Sequence, residues 1–226
     1  MPKMTRKVIA LKLIAASMLG ADAATQNRAI ISYEQRLFVG ASAHVIKTTI
    51  KSNALRQESW SFDSSAPSGR YGFAEVTIQN NTGTYQFFEG QQQGSLIPNS
   101  NTKIKNREQH LQDIEFANHP EKYLAQLKQQ NHAVLIGTET INGFSCNVYK
   151  FLNAGWKEAK KSGARMSDAK GRVWLWVERP YPPIKVEMSM PIFGFYRIEV
   201  THLQLAPQVD EAMFQPPPDM KIKIIN

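Results

Sequence analysis

The residues best equipped for chemistry are five histidines, His44, His110, His119, His132 and His202, and no two stand closer than nine positions apart. Metal sites usually begin from a close pair such as H-x-H or H-E-x-x-H, because two imidazoles must reach one ion from one face of an element. No metal centre is expected, and no cofactor. The chain has no G-x-S-x-G elbow around a serine, no G-x-G-x-x-G turn and no G-x-x-x-x-G-K loop, so acyl transfer and nucleotide chemistry lack their usual scaffolds. Glu187 and Glu199 are a possible carboxylate pair, but each falls on the polar side of an alternating strand, the pattern of a solvated face. The single cysteine, Cys146, excludes an internal disulfide and a thiolate cluster. In the run Phe144, Cys146, Val148 it reads as a small buried hydrophobe. A non-catalytic protein is expected.

With no catalytic constellation, the informative stretch is Arg172 to Met190, RVWLWVERPYPPIKVEMSM. Val173, Leu175 and Val177 alternate with Trp174 and Trp176, so this strand has apolar residues on both faces and is either covered twice or lines a cavity. Pro180, Pro182 and Pro183 break the ladder. Ile184, Val186, Met188 and Met190 then alternate with Lys185, Glu187 and Ser189, a half-buried antiparallel strand. Phe144, Val148, Trp174, Trp176, Val186 and Met188 are the candidate lining of a hydrophobic ligand cavity, and methionine suits an adaptable binding surface. The same stripes are equally readable as ordinary core, which is what periodic apolar residues usually mean.

These strands sit in a mainly β pattern. Strands are expected at about 29–39, 43–51 and 55–62, a hairpin at 73–78 and 84–88 about Asn80-Asn81-Thr82-Gly83, and a short strand ending near Pro98. Leu111, Ile114, Tyr123, Leu124 and Leu127 recur at helical spacing in one insert, about 106–130, dividing where Pro120 suits the first position of a second helix. A second hairpin follows at 134–151 about Asn142-Gly143, then a strand at 195–205 and an edge strand at 221–225. Strands, one helical insert and strands again give no β-α alternation, so the sheet is antiparallel.

At the N-terminus, Lys3, Arg6 and Lys7 precede an apolar run, Val8 to Leu19, and Ala21-Asp22-Ala23 matches a cleavage pattern. Residues 1–23 read as a secretory signal peptide, the alternative being a short amphipathic helix interrupted by Lys12. Residues 24–226 then form one domain, of a size one core can support. Cleavage would remove four cations and Asp22, taking the formal charge from +8 to +5. No cysteine follows the leader to carry a lipid anchor, and a soluble exported protein is expected. Most of the remaining excess charge lies in a loop at 153–171, where Lys157, Lys160, Lys161, Arg165 and Lys170 outnumber Glu158 and Asp168. Clustered cations attract acidic protein or anionic headgroups, so Lys160, Lys161 and Arg165 are the candidate contacts to a partner or, transiently, to a membrane surface. A solvated loop accounts for them equally. Nucleic acid is not expected as a partner.

Several segments together resemble the superfamily of the bacterial outer-membrane lipoprotein carrier, the LolA-like and LolB-like periplasmic proteins. They are Ile136-Gly137-Thr138-Glu139 with Ile141-Asn142-Gly143-Phe144 and Val148-Tyr149; Val173-Trp174 with Pro183-Ile184-Lys185-Val186-Glu187; Ala212-Met213-Phe214 with Pro216-Pro217; and Ile50-Lys51 with Leu55-Arg56-Gln57-Glu58. The resemblance implies an unclosed antiparallel β half-barrel with a helical plug, and a hydrophobic cavity for lipid or lipoprotein acyl chains. It implies the periplasm of a Gram-negative bacterium. It also implies an early-strand arginine that helps hold the helices, for which Arg56 is the nearest match. The basic stretch at 153–171 is a departure from the plain carriers. Two functions follow as expectations: an acyl-chain carrier, or an interaction module docking an inner- or outer-membrane protein through the basic loop.

Overall fold

The computed structural model describes residues 30–39, 42–61, 74–100, 105–152, 170–190 and 194–225. The leader at 1–23, the turn at 63–72 and most of the basic loop, including Lys160, Lys161 and Arg165, lie outside the described residues.

Six strands come first: β1 (Ile31–Val39), β2 (Ser42–Lys51), β3 (Ala54–Ser61), β4 (Glu75–Gln79), β5 (Gly83–Phe88) and β6 (Gln93–Pro98). Two helices follow, α1 (Lys105–Asn118) and α2 (Pro120–Asn131). Pro120 opens α2, where its missing N–H costs nothing, and His132 ends it in a left-handed conformation. The remaining strands are β7 (Val134–Ile141), β8 (Phe144–Leu152), β9 (Lys170–Trp176), β10 (Lys185–Met190), β11 (Gly194–Leu205) and β12 (Lys221–Ile224).

All twelve belong to one sheet in the order β12-β6-β5-β4-β3-β2-β1-β11-β10-β9-β8-β7. Every pairing is antiparallel except β6 with β12. Among the described residues the two ends of the order do not pair with each other, so the protein is a mainly β, unclosed half-barrel with a helical insert. Local chemistry sets the hairpins. Asn142 and Gly143 both take positive φ, 51° and 85°, the pair a type I′ turn demands between β7 and β8. Between β4 and β5, the Asn80 side chain accepts the backbone N–H of Thr82 at 2.9 Å.

Cross-strand neighbours in an antiparallel ladder share a face, so the register sorts the side chains. Tyr149, Val173, Val186, Ile198 and Leu37 form one row across β8, β9, β10, β11 and β1, on the face that carries the helices. Val148, Trp174, Lys185, Glu199 and Arg36 form the next row, on the opposite face. β9 is therefore covered twice. Val173 and Leu175 pack with Leu127, Tyr149 and Phe151 beneath the helices, while Trp174 packs with Cys146, Val148 and Ile184 on the other side. The C-terminal segment lies over that second face: Phe214 is buried, and the carbonyls of Met213 and Phe214 accept hydrogen bonds from Arg56 and Asn80.

Candidate functional site

The helical spacing of His110, Ile114 and Ala117 gives α1 one buried stripe, and with Phe116 it packs on Ile31, Tyr33, Ile50 and Leu55 of β1 to β3. Leu111, expected inside, is exposed. α2 turns Leu127 onto β8 and β9, and Tyr123 touches both clusters. The rings of Phe116, Tyr123 and Tyr181 meet pairwise with centroids 5.3 to 5.6 Å apart. Aromatic edges and faces at such separations attract beyond simple burial. The helices thus plug one end of the face.

Beneath them runs a chain of polar groups. Gln109 Nε2 and the Tyr181 hydroxyl both donate to Asp113 Oδ1, at 3.1 and 2.9 Å. The Tyr181 and Tyr33 hydroxyls are 3.4 Å apart. Burial pushes the Asp113 carboxyl up to about 6, and its charge together with burial pushes the phenols of Tyr33, Tyr123 and Tyr181 upward. Arg179, buried in the turn between β9 and β10, donates from Nη2 to the carbonyl of Ala117 and from Nε to the carbonyl of Tyr181 at 3.1 Å. The turn 177–184 is thereby tied to the last turn of α1, whose carbonyls have no intrahelical partner. Asn118 Nδ2 adds a bond to the carbonyl of Ser52 in the β2–β3 turn.

The candidate cavity residues divide between the faces. Val186 and Met188 lie on the helix-bearing face, packed against the cluster of Leu127, Tyr149 and Phe151. Phe144, Val148, Trp174 and Trp176 lie together on the opposite face. There Trp174 Nε1 donates to Glu139 at 2.8 Å under the ammonium of Lys185, and Phe144 and Trp176 stack edge to face at 5.2 Å. Arg56 is also on that opposite face. It pairs with Glu58 at 2.7 Å and donates to the Met213 carbonyl at 3.1 Å, so it holds the tail, while the helix is held by Arg179. Glu187 and Glu199 each sit beside a cation, Lys185 and Arg197.

Asp113, Arg179 and Tyr181 were not singled out from the sequence. One signal was present: Asp113 stands in the helical stripe of His110, Ile114 and Ala117, a carboxylate within an apolar face. Nothing local marked Arg179, whose partner is 62 residues away. Among the described residues no group of His, Cys, Asp and Glu is placed to hold a metal ion. No helix among them is long and apolar enough to cross a membrane.

An open antiparallel half-barrel plugged by two helices is the class of protein that the fold defines. No protein-family model and no curated protein matches the sequence. An uncharacterized conserved protein from Thermus thermophilus has a similar structure, with a TM-score of 0.53 at 9% identity over 93% of this chain and 99% of that one. The complex of MucA and MucB from Pseudomonas aeruginosa contains a chain matched at a TM-score of 0.49 and 14% identity, over 93% of this chain. This chain spans 64% of the length of that one. A LolA superfamily protein from Nitrosomonas europaea is matched at a TM-score of 0.35 and 9% identity, over 87% of this chain and 97% of that chain. The chain shares its fold with the Thermus thermophilus protein, and an identity this low speaks to fold alone.

Proposed function

We propose that this is an exported, periplasmic binding or carrier protein that holds an acyl chain of a lipid or lipoprotein between the helical plug and the sheet, without catalysis. The carrying observation is a set of apolar side chains on the helix-bearing face that stay only half-buried. Leu37 of β1, Ile46 of β2, Val186 and Met188 of β10, and Tyr196 and Ile198 of β11 all face the helix-bearing side and are only half-buried. Apolar side chains left half-buried on one face of a half-barrel are suited to a flexible apolar ligand. The leader pattern at 1–23 supports export. The decisive experiment is mass spectrometry of an organic extract from natively purified protein beside an unrelated control. Stoichiometric acyl species support the carrier, and an empty extract from folded protein removes it.

A second reading, a module docking a membrane-protein partner, is favoured by β7. This edge strand exposes Val134, Leu135 and Ile136 at 63%, 52% and 49% and carries neither lysine nor proline, whereas the other edge, β12, has Lys221 and Lys223. Bare apolar edges accept added strands. The basic loop with Lys160, Lys161 and Arg165 supplies charge for the same partner. Reversing those three charges should abolish capture in a pull-down if this reading holds, and leave it intact if it does not.

A further inference from the structure

We propose that Arg179 and Tyr181 form a latch closing the helical plug onto the sheet, and that protonation of Asp113 sets how firmly the latch holds. The turn that carries both residues grips α1 at two points one helical turn apart. Arg179 takes the Ala117 carbonyl, and the Tyr181 hydroxyl takes the Asp113 carboxyl at 2.9 Å. Tyr33 of β1 backs the second contact at 3.4 Å from the Tyr181 oxygen, so opening the plug must break a chain that runs from helix to turn to sheet.

The groups facing Asp113 are Tyr33 from β1, Tyr181 from the turn, Tyr123 from α2 and Gln109 from its own helix, on which the buried His110 stands three residues earlier. Among the described residues no lysine or arginine pairs with it. The Arg179 guanidinium is committed to two backbone carbonyls. His110 is buried, burial disfavours its protonated form, and its Nδ1 has no hydrogen-bond partner among the described residues. A charge on Asp113 is therefore stabilised by hydrogen bonds alone, in a setting that favours the neutral acid. Burial holds its carboxyl up to about 6, above the ordinary carboxylate range. The closed plug binds this proton more tightly than the open one. Closure is thus strongest below the ordinary carboxylate range and is progressively lost as pH rises through about 6.

The biological weight of the latch rests on the carrier reading, since an opening plug matters only if something enters beneath it. Its test needs no ligand. Amide hydrogen exchange on the full chain at pH 5 and pH 7.5, corrected for the intrinsic pH dependence of exchange, reads the opening of α1 directly. Protection over residues 109–118 should fall about tenfold across that range in the wild type and stay level in Asp113→Asn. Parallel profiles in the two proteins, or protection of α1 that rises with pH, would overturn the proposal. If Asp113→Asn does not fold, Tyr181→Phe serves. It removes a donor to the carboxylate and should move the fall in protection to higher pH, and an unmoved profile refutes the latch. Exchange that behaves as stated in protein that retains no acyl species would instead refute the carrier and leave the latch standing.

Discussion

The guanidinium of Arg179 and the carbonyl of Ala117 are hydrogen bonded, joining a proline-rich turn between two strands to the last turn of a helix 62 residues earlier in the chain. A helix C-terminus leaves carbonyls unpaired, and a cation there is favoured by the helix dipole as well as by the hydrogen bond. Replacing Arg179 with alanine leaves the Ala117 carbonyl and the Tyr181 carbonyl without this donor. The expected loss is about 2 kcal/mol, read as a lower urea midpoint with the slope unchanged. Arg179→Lys should recover only part, because an ammonium cannot present two donors in the guanidinium's planar fork.

The division of the candidate cavity residues between two faces makes a sharp contrast. Met188→Glu should lower binding of a fluorescent acyl probe at least tenfold in folded protein, by putting a charge on the helix-bearing face. Trp176→Glu, on the opposite face, should leave the probe's affinity within about twofold, because area buried elsewhere does not enter the binding equilibrium. Equal losses from both would mean that the ligand, if any, lies on neither face alone.

Gly171 allows Phe151 to lie across β9. A Cβ there would fall 2.2 Å from the Glu187 carbonyl oxygen and 2.6 Å from Phe151 Cζ. The carbonyl belongs to the paired strand and cannot step aside. Gly171→Ala should cost about 2 kcal/mol in a urea titration, despite the ordinary gain from replacing glycine in a strand.

Stability should also depend on pH in a way that one substitution removes. The Asp113 carboxyl has its folded-state value raised to about 6, so the folded protein holds the proton more tightly than the unfolded chain, and stability is lost as pH rises through that value. The urea midpoint of Asp113→Asn relative to wild type should therefore increase from pH 5 to pH 7.5. Glu115, held below its usual range by Lys122, acts with the opposite sign. Its contribution is lost only as pH falls through the carboxylate range, outside this window.

The order of elements was legible because each had a local cause. Asn142-Gly143 demands a type I′ turn, Pro120 opens a helix, and alternation in 172–190 marks strands on either side of three prolines. These features bear on residues within a few positions of one another, and an antiparallel sheet with one helical insert follows from their order. That Trp174 and Val173 serve different cores was also readable from a period of two. Which core each would serve was not. Phe144, Val148, Trp174 and Trp176 joined the face opposite the helices, while Val186 and Met188 joined the helix-bearing face, because the pairing of β8, β9 and β10 sets which side each row meets. The same holds for the arginines. Arg56 and Arg179 are alike in sequence, and only the tertiary structure gave one the carbonyl of Met213 and the other that of Ala117. Local sequence determines turns, strand periods and helix ends through backbone sterics and hydrophobic alternation. Contacts between residues 62 or 157 positions apart depend on which faces the strand register brings together, and that is decided by packing of the whole chain.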